Sequence, residues 1–254
     1  MANEYERLRE HISFNPSFYC YHRDEHTQTR IRFMNIIIFG ATGMIGQRIY
    51  SEASARGHTV SVFARPQSQI KFSPDPAKIV TGDLTNPDDV ARAVQGQSAV
   101  VSALGPRGEI KDFLPLNQSL VAGLKKGGVR RLLVVGGAGS LEVSPGTVLF
   151  GQTIQEPAAP AYNAPWFPKE WLAHAKIHDE VLNYLKATDL DWTYISPPAL
   201  IQPGKKSGHY QRGADKLLVD DKGNSEISAE DYATALLDEL ETPRAIRKRI
   251  TVAW

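Results

Sequence analysis

The sequence predicts an α/β fold on a doubly wound parallel sheet, as a single domain with a small C-terminal lobe. Three observations carry this. The run "NIIIF" at 35–39 is continuously apolar, as expected for a strand covered on both faces. Three glycines, Gly40, Gly43 and Gly46, follow it at a spacing of three and open an amphipathic segment. Strand-like and helix-like stretches then alternate at short intervals, the pattern of a parallel sheet with crossover helices. Such crossovers are right-handed in nearly all cases, which leads to the doubly wound arrangement.

The elements follow in order. "GMIGQRIYSEASARG" is amphipathic, with Gly57 placed as its stop. "HTVSVFA" and "AKIVTGD" read as strands. "NPDDVARAVQG" is a helix that starts Asn-Pro and ends in Gly. "SAVVSALG" is the fourth strand, "FLPLNQSLVAGLKKGG" a helix with a double-glycine stop, and "VRRLLVVGGAGS" holds the fifth strand. After Ser140 the rhythm loosens, and "SPGTVLFGQTIQEPAAPAYNAPWFP" reads as a long loop. A long helix, "KEWLAHAKIHDEVLNYLKAT", precedes the strand "LDWTYIS", which stops at Pro197 and Pro198. "SAEDYATALLDELE" is a helix whose Ser228 and Asp231 resemble a capping box, and "KRITVAW" is the last strand.

Residues 1–33 lack this pattern and read as a poorly packed N-terminal extension to a domain at 34–254. His11, Cys20, His22 and His26 fall in it, but their spacing matches no zinc pattern, so no metal is expected. The chain of 254 residues has a formal net charge of +1, without the basic excess of a nucleic-acid-binding domain. No stretch approaches the ~18 apolar residues of a membrane helix. The N-terminus has no secretory h-region. Cys20 is the single cysteine, so no intrachain disulfide can form. A soluble cytoplasmic protein is expected, as monomer or dimer.

The glycines fit G-x-x-G-x-x-G at a strand-to-helix turn. The first allows the tight turn, the second lets backbone approach a pyrophosphate, and the third lets helix and strand pack closely. The free N–H groups and partial positive charge of the helix start then suit phosphates. This predicts dinucleotide binding on a Rossmann-type sheet. An NAD site carries an acid at the end of the second strand. No acid occurs from Ala53 to Pro74, and Arg65 stands just past "VSVFA". A guanidinium there suits a 2′-phosphate, so NADP (as NADPH) is favoured over NAD.

"IIIFGATGMIGQRI", "GDLTNPDDV", "VVSALGP", "LLVVGGAGSL", "LDWTYISPPA" and "ISAEDYATALLDELE" together resemble the atypical short-chain dehydrogenase/reductase proteins. More narrowly they resemble the NAD(P)H-binding group of NADH–flavin reductase-like proteins, relatives of biliverdin reductase B and the NmrA-like proteins. The resemblance implies that Gly40, Thr42, Gly43, Met44 and Ile45 wrap the pyrophosphate. It implies that Asp83 and Leu84 flank the adenine and that Ala103, Leu104 and Gly105 line the cofactor ribose.

Ordinary members of that superfamily reduce carbonyls with Tyr-x-x-x-Lys and a Ser after the fifth strand. Ser140 fits the Ser and Lys176 the Lys, but Leu172 stands four residues before Lys176, without a hydroxyl. Hydride transfer to a flavin, with solvent as proton source, fits better. Tyr162, Trp166, Phe167 and Trp171 are candidates for the wall of a flat pocket, and core packing is their alternative use. His174, one helical turn from His178, is a candidate proton donor. The expected function is an NAD(P)H-dependent reductase of a flavin or similar planar acceptor. An NmrA-like NADP-binding redox sensor without turnover, and a carbonyl reductase using Tyr162 or another hydroxyl, are the alternatives.

Overall fold

The first apolar run forms β1 (Asn35–Phe39), with Ile36, Ile37, Ile38 and Phe39 wholly buried. The computed structural model describes residues 33–66, 72, 75–106, 109–144, 147–149 and 170–254. Met34–Trp254 packs as one unit. The N-terminal candidates His11, Cys20, His22 and His26 lie outside the described residues, as do Tyr162, Trp166 and Phe167.

From β1 the chain runs through α1 (Met44–Ala55), β2 (Thr59–Ala64), β3 (Lys78–Thr81), α2 (Pro87–Ala93), β4 (Ala99–Ser102), α3 (Phe113–Gly127) and β5 (Arg131–Val135). It continues through β6 (Glu142–Ser144), β7 (Thr147–Val148), α4 (Glu170–Lys186), β8 (Asp191–Ser196), β9 (Leu200–Gln202), β10 (Gln211–Gly213), β11 (Glu226–Ser228), α5 (Ala229–Glu241) and β12 (Lys248–Ala253). The main sheet has the order β10-β12-β8-β5-β4-β1-β2-β3. Every pairing in it is parallel except that of β10 with β12. This is a Rossmann-like sheet with helices on both faces. One apolar layer joins Ile36, Ile38, Val101 and Leu133 to Leu236, Leu237 and Leu240 of α5. The other joins Ile37, Val100, Leu132 and Trp192 to Leu120, Leu124 and Leu182 of α3 and α4.

Local signals set the helix ends. Asn86 accepts from Asp88 N–H and caps α2, with Pro87 beginning the helix. Gly128 closes α3 in the left-handed conformation, at φ 76°. The capping box of α5 is only half formed. Ser228 Oγ accepts from Asp231 N–H at 3.0 Å. The Asp231 carboxylate does not reach back. It accepts instead from Ser207 N–H, Ser207 Oγ, Gly208 N–H and Trp254 Nε1. The shorter Asp side chain serves a tertiary tie where Glu would close the box. The segment after Ser140 is likewise not all loop, since β6 and β7 pair antiparallel within it.

Two polar knots, one half-buried and one buried, hold the α5 side of the sheet. Arg56 on the C-cap of α1 reaches Glu52 at 2.8 Å, Asp238 at 2.7 Å and Glu241 at 2.9 Å, joining α1 to α5. Glu239, almost fully buried, takes Arg212 at 2.9 Å, Arg131 at 3.4 Å, Thr193 Oγ1 and the N–H groups of Arg244 and Ala245. Arg131 is itself well buried, and burial pulls its pKa down against the pull of Glu239. Removing the carboxylate strands that charge, which typically costs ~3–5 kcal/mol. Glu239→Ala should therefore lower the urea unfolding free energy by about that amount. A loss under about 1 kcal/mol would contradict the account of the knot.

Candidate functional site

The sheet order reverses between β1 and β4, so the chain leaves these neighbouring strands in opposite directions. Sheets of this kind bind ligands in the crevice at these carboxyl ends. The glycine turn fills one side of it. Gly40 has φ 83°, a left-handed value that glycine adopts without strain. A Cβ on Gly40 would meet the Ala103 carbonyl oxygen at 2.5 Å, so the β1 turn lies directly against the turn after β4. A Cβ on Gly46 would strike the Gly40 carbonyl oxygen, so helix and turn are pressed together. Gly43 caps α1 with extended backbone and no side-chain cap, and no acid occupies the first turn. The opening N–H groups of α1 thus keep no competing carboxylate, and they carry the positive end of the helix dipole.

The other predicted cofactor positions follow the carboxyl ends of β1, β2, β3 and β4. Ala103 N–H donates to Phe39 O at 2.8 Å, which holds the β4 turn beside β1. Leu104 is half-buried, and Gly105 is exposed with open space where a side chain would be. Met44 at the start of α1 is an exposed apolar side chain, Ile45 is half-buried against the core, and Thr42 O accepts from Gln47 Nε2. Arg65 directly follows β2, two residues past the Phe63–Phe39 pair. It is exposed, and among the described residues no hydrogen bond or ion pair holds it. Asp83 is exposed and caps its own turn, accepting from Thr85 N–H at 2.9 Å, while Leu84 packs on the apolar layer under α2 and α3. These residues fit a nicotinamide dinucleotide: close backbone, unclaimed N–H groups, a free guanidinium and space over Gly105.

The three predicted catalytic positions do not come together. Ser140 is claimed by Arg249, whose Nη1 donates to Ser140 Oγ at 2.7 Å and to its carbonyl at 3.1 Å. It also hydrogen-bonds Asp179, whose pKa is raised by burial against the opposing pull of Ser140 and Arg249. Lys176 is exposed on α4, while its neighbours Ala175 and Ile177 are buried. His174 is half-buried one turn from His178. The side chain of Trp171 lies outside what is described.

The structure adds a pair that the sequence reading passed over. The Tyr194 hydroxyl accepts from Gly137 N–H at 2.9 Å and donates to the His178 carbonyl at 3.1 Å. Its full burial pushes the phenol pKa up. A Cβ on Gly136 would strike the Tyr194 ring, and one on Gly137 would meet His178 Cβ at 2.9 Å. The Gly136–Gly137 pair therefore lets the turn after β5 settle onto β8 and α4. The signal for it was the second glycine pair in "VVGGAGS". His178 packs edge-on against Phe113 at 5.0 Å.

Among the described residues no three His, Cys, Asp or Glu side chains are placed to hold a metal. No described helix is long and apolar enough to cross a membrane. The NAD(P)H-binding family model matches residues 40–243, and the chain belongs to that family. The protein YwnB of Bacillus subtilis is 38% identical over 222 residues, covering 86% of this chain and 98% of that protein. A Burkholderia pseudomallei structure, provisionally described as an exported protein, is 42% identical with a TM-score of 0.74, covering 87% of this chain and 100% of its own. A Streptococcus pneumoniae structure, provisionally described as an NADH-flavin reductase, is 31% identical with a TM-score of 0.70, covering 87% and 99%.

Burial, and then the nearby His174, lower the His178 pKa from 6.5 to about 4. The folded chain keeps this imidazole neutral where the unfolded chain already binds a proton. Its contribution to stability is complete above about pH 6.5 and is lost as pH falls toward about 4. His178→Phe should flatten that part of a urea stability–pH profile. Equal slopes for the two proteins between those pH values would contradict the assignment.

Proposed function

We propose that the protein is an NADPH-dependent reductase that delivers hydride to a flavin or a similar planar acceptor. One observation carries the reading: the turns after β1 and β4 press together beside an uncapped helix start, while among the described residues no side chain is set up as a proton donor beside them. Leu172 stands where a carbonyl reductase has its Tyr, and Lys176 is exposed. The Tyr194 phenol is fully buried and bonded at both ends. Reduction of a flavin needs a hydride and one proton, and the proton can come from solvent, so the protein's task is alignment. The provisional description of the pneumococcal neighbour supports the same reading.

The bound cofactor supplies the hydride. The chain's own residues hold and orient it. The amides of Met44 and Ile45 at the start of α1 receive the pyrophosphate, beside the Gly43 backbone, whose own N–H donates to Gly40 O. Asp83 and Leu84 border the adenine side. Ala103, Leu104 and Gly105 border the ribose on the nicotinamide side. Arg65 grips the 2′-phosphate, and the absence of an acid at the end of β2 leaves nothing to repel that phosphate or bind a free 2′-OH. The lone Cys20 is consistent with work in a reducing cytosol.

Purified protein should oxidise NADPH steadily with a flavin and remain slow with simple ketones. Binding of NADPH with no turnover of flavins or quinones would instead favour a cofactor sensor. Turnover of ketones alone would favour a carbonyl reductase. A charge-assisted pair is worth on the order of 1.5–3 kcal/mol, so NADPH should bind at least about tenfold tighter than NADH. Arg65→Ala should erase most of that gap by weakening NADPH, and Arg65→Lys should restore part of it. A wild-type preference for NADH, or an unchanged gap in Arg65→Ala, would reduce Arg65 to a solvated side chain.

A further inference from the structure

We propose that Arg249 anchors the phosphate of a phosphate-bearing acceptor, of the flavin mononucleotide kind, and that Asp215 is the stand-in which this phosphate displaces. The proposal rests on the reductase reading of the same site and adds to it how the acceptor is recognised.

Arg249 has two unlike sides. One is fixed: Nη1 holds the Ser140 carbonyl and hydroxyl, and Ser140 is tied in turn to Asp179 on α4. The other meets a single, mostly exposed carboxylate. Nε at 2.8 Å and Nη2 at 2.7 Å both meet the same oxygen, Oδ1 of Asp215. The Asp215 side chain is 69% exposed, whereas that of Arg249 is 10% exposed. Among the described residues Oδ2 of Asp215 has no hydrogen-bond partner. The Nε/Nη2 edge of a guanidinium is matched to two oxygens of one oxyanion. Here both donors share a single oxygen of a mostly solvated carboxylate, a type of pair that contributes little by itself. A phosphate would take both donors in parallel. Ser140 would keep the guanidinium plane aligned when Asp215 swings away.

The placement suits an acceptor. Phe39, Ser102, Val134, Tyr194 and Arg249 are register partners across β1, β4, β5, β8 and β12. Phe39 and Ser102 are the last residues of β1 and β4, so the row runs level with the carboxyl ends of those two strands, and Arg249 joins it as the second residue of β12. At ~4.8 Å per strand, Arg249 stands about 10 Å from β5 and about 20 Å from β1. It is thus too remote for the cofactor pyrophosphate on the β1 turn. It lies within reach of the ribityl phosphate arm of a ligand whose ring sits over the end of β5.

The test compares FMN with riboflavin, which lacks only the phosphate, on the full chain. NADPH turnover and flavin fluorescence titration in the presence of NADP are both read. Wild type should bind FMN about tenfold or more tighter than riboflavin, the size of a charge-assisted pair. Asp215→Asn, a change at an exposed side chain, should tighten FMN and leave riboflavin unchanged. Arg249→Gln should bring FMN to the riboflavin level, and Arg249→Lys should recover part of the difference. Equal binding of the two flavins by wild type, or weaker FMN binding by Asp215→Asn, overturns the anchor. If both flavins are reduced alike, the reductase reading stands and the anchor falls. If FMN binds through Arg249 without being reduced, the anchor stands and the reductase reading falls. If neither flavin binds, both fall.

Discussion

The close approach of the turn after β1 to the turn after β4 is the constraint on which the rest depends. Gly40 leaves no room for a Cβ against Ala103, and Gly46 leaves none against Gly40. Together they seat the start of α1 over the sheet where its order reverses. The amides at that helix start are uncapped because no side chain there competes for them. The same packing that makes the turn possible therefore leaves donors for a ligand's phosphates.

The remainder of the fold keeps this geometry rigid. Arg56 clamps α1 to α5 from behind through Glu52, Asp238 and Glu241. Glu239 gathers Arg131, Arg212 and Thr193 under the last strands. On the opposite face Tyr194 links the Gly136–Gly137 turn to α4. The arrangement separates two tasks. In the proposed function, backbone near β1 meets the cofactor, and side chains near β5, β8 and β12 are available to the acceptor.

The strands, the crossover helices and the first glycine turn were legible in the sequence because their signals are local. Buried strands read as apolar runs, and Gly57 and Gly128 stop their helices at φ 82° and 76°. The place of Arg65 directly after β2 was legible for the same reason. What was not legible depended on contacts across long chain separations. Asp231 appeared to close a capping box and instead binds Ser207 and Trp254. The tie of Ser140 to Arg249 spans 109 residues. The second glycine pair hinted at close packing but could not name Tyr194 and His178 as the partners. Short strands such as β6, β7 and β10 carry too few residues for a periodic signal.

Amide hydrogen exchange with and without NADPH measures the central claim most directly, because it reports on backbone donors rather than on side chains. Saturating NADPH should slow exchange at residues 42–46 in the β1 turn and first turn of α1, and at 103–105 after β4. The groove lined by Ser207, His209, Tyr210, Gln211 and Trp254 should be unaffected. Unchanged exchange at 42–46 together with protection in that groove would place the cofactor elsewhere and contradict the account.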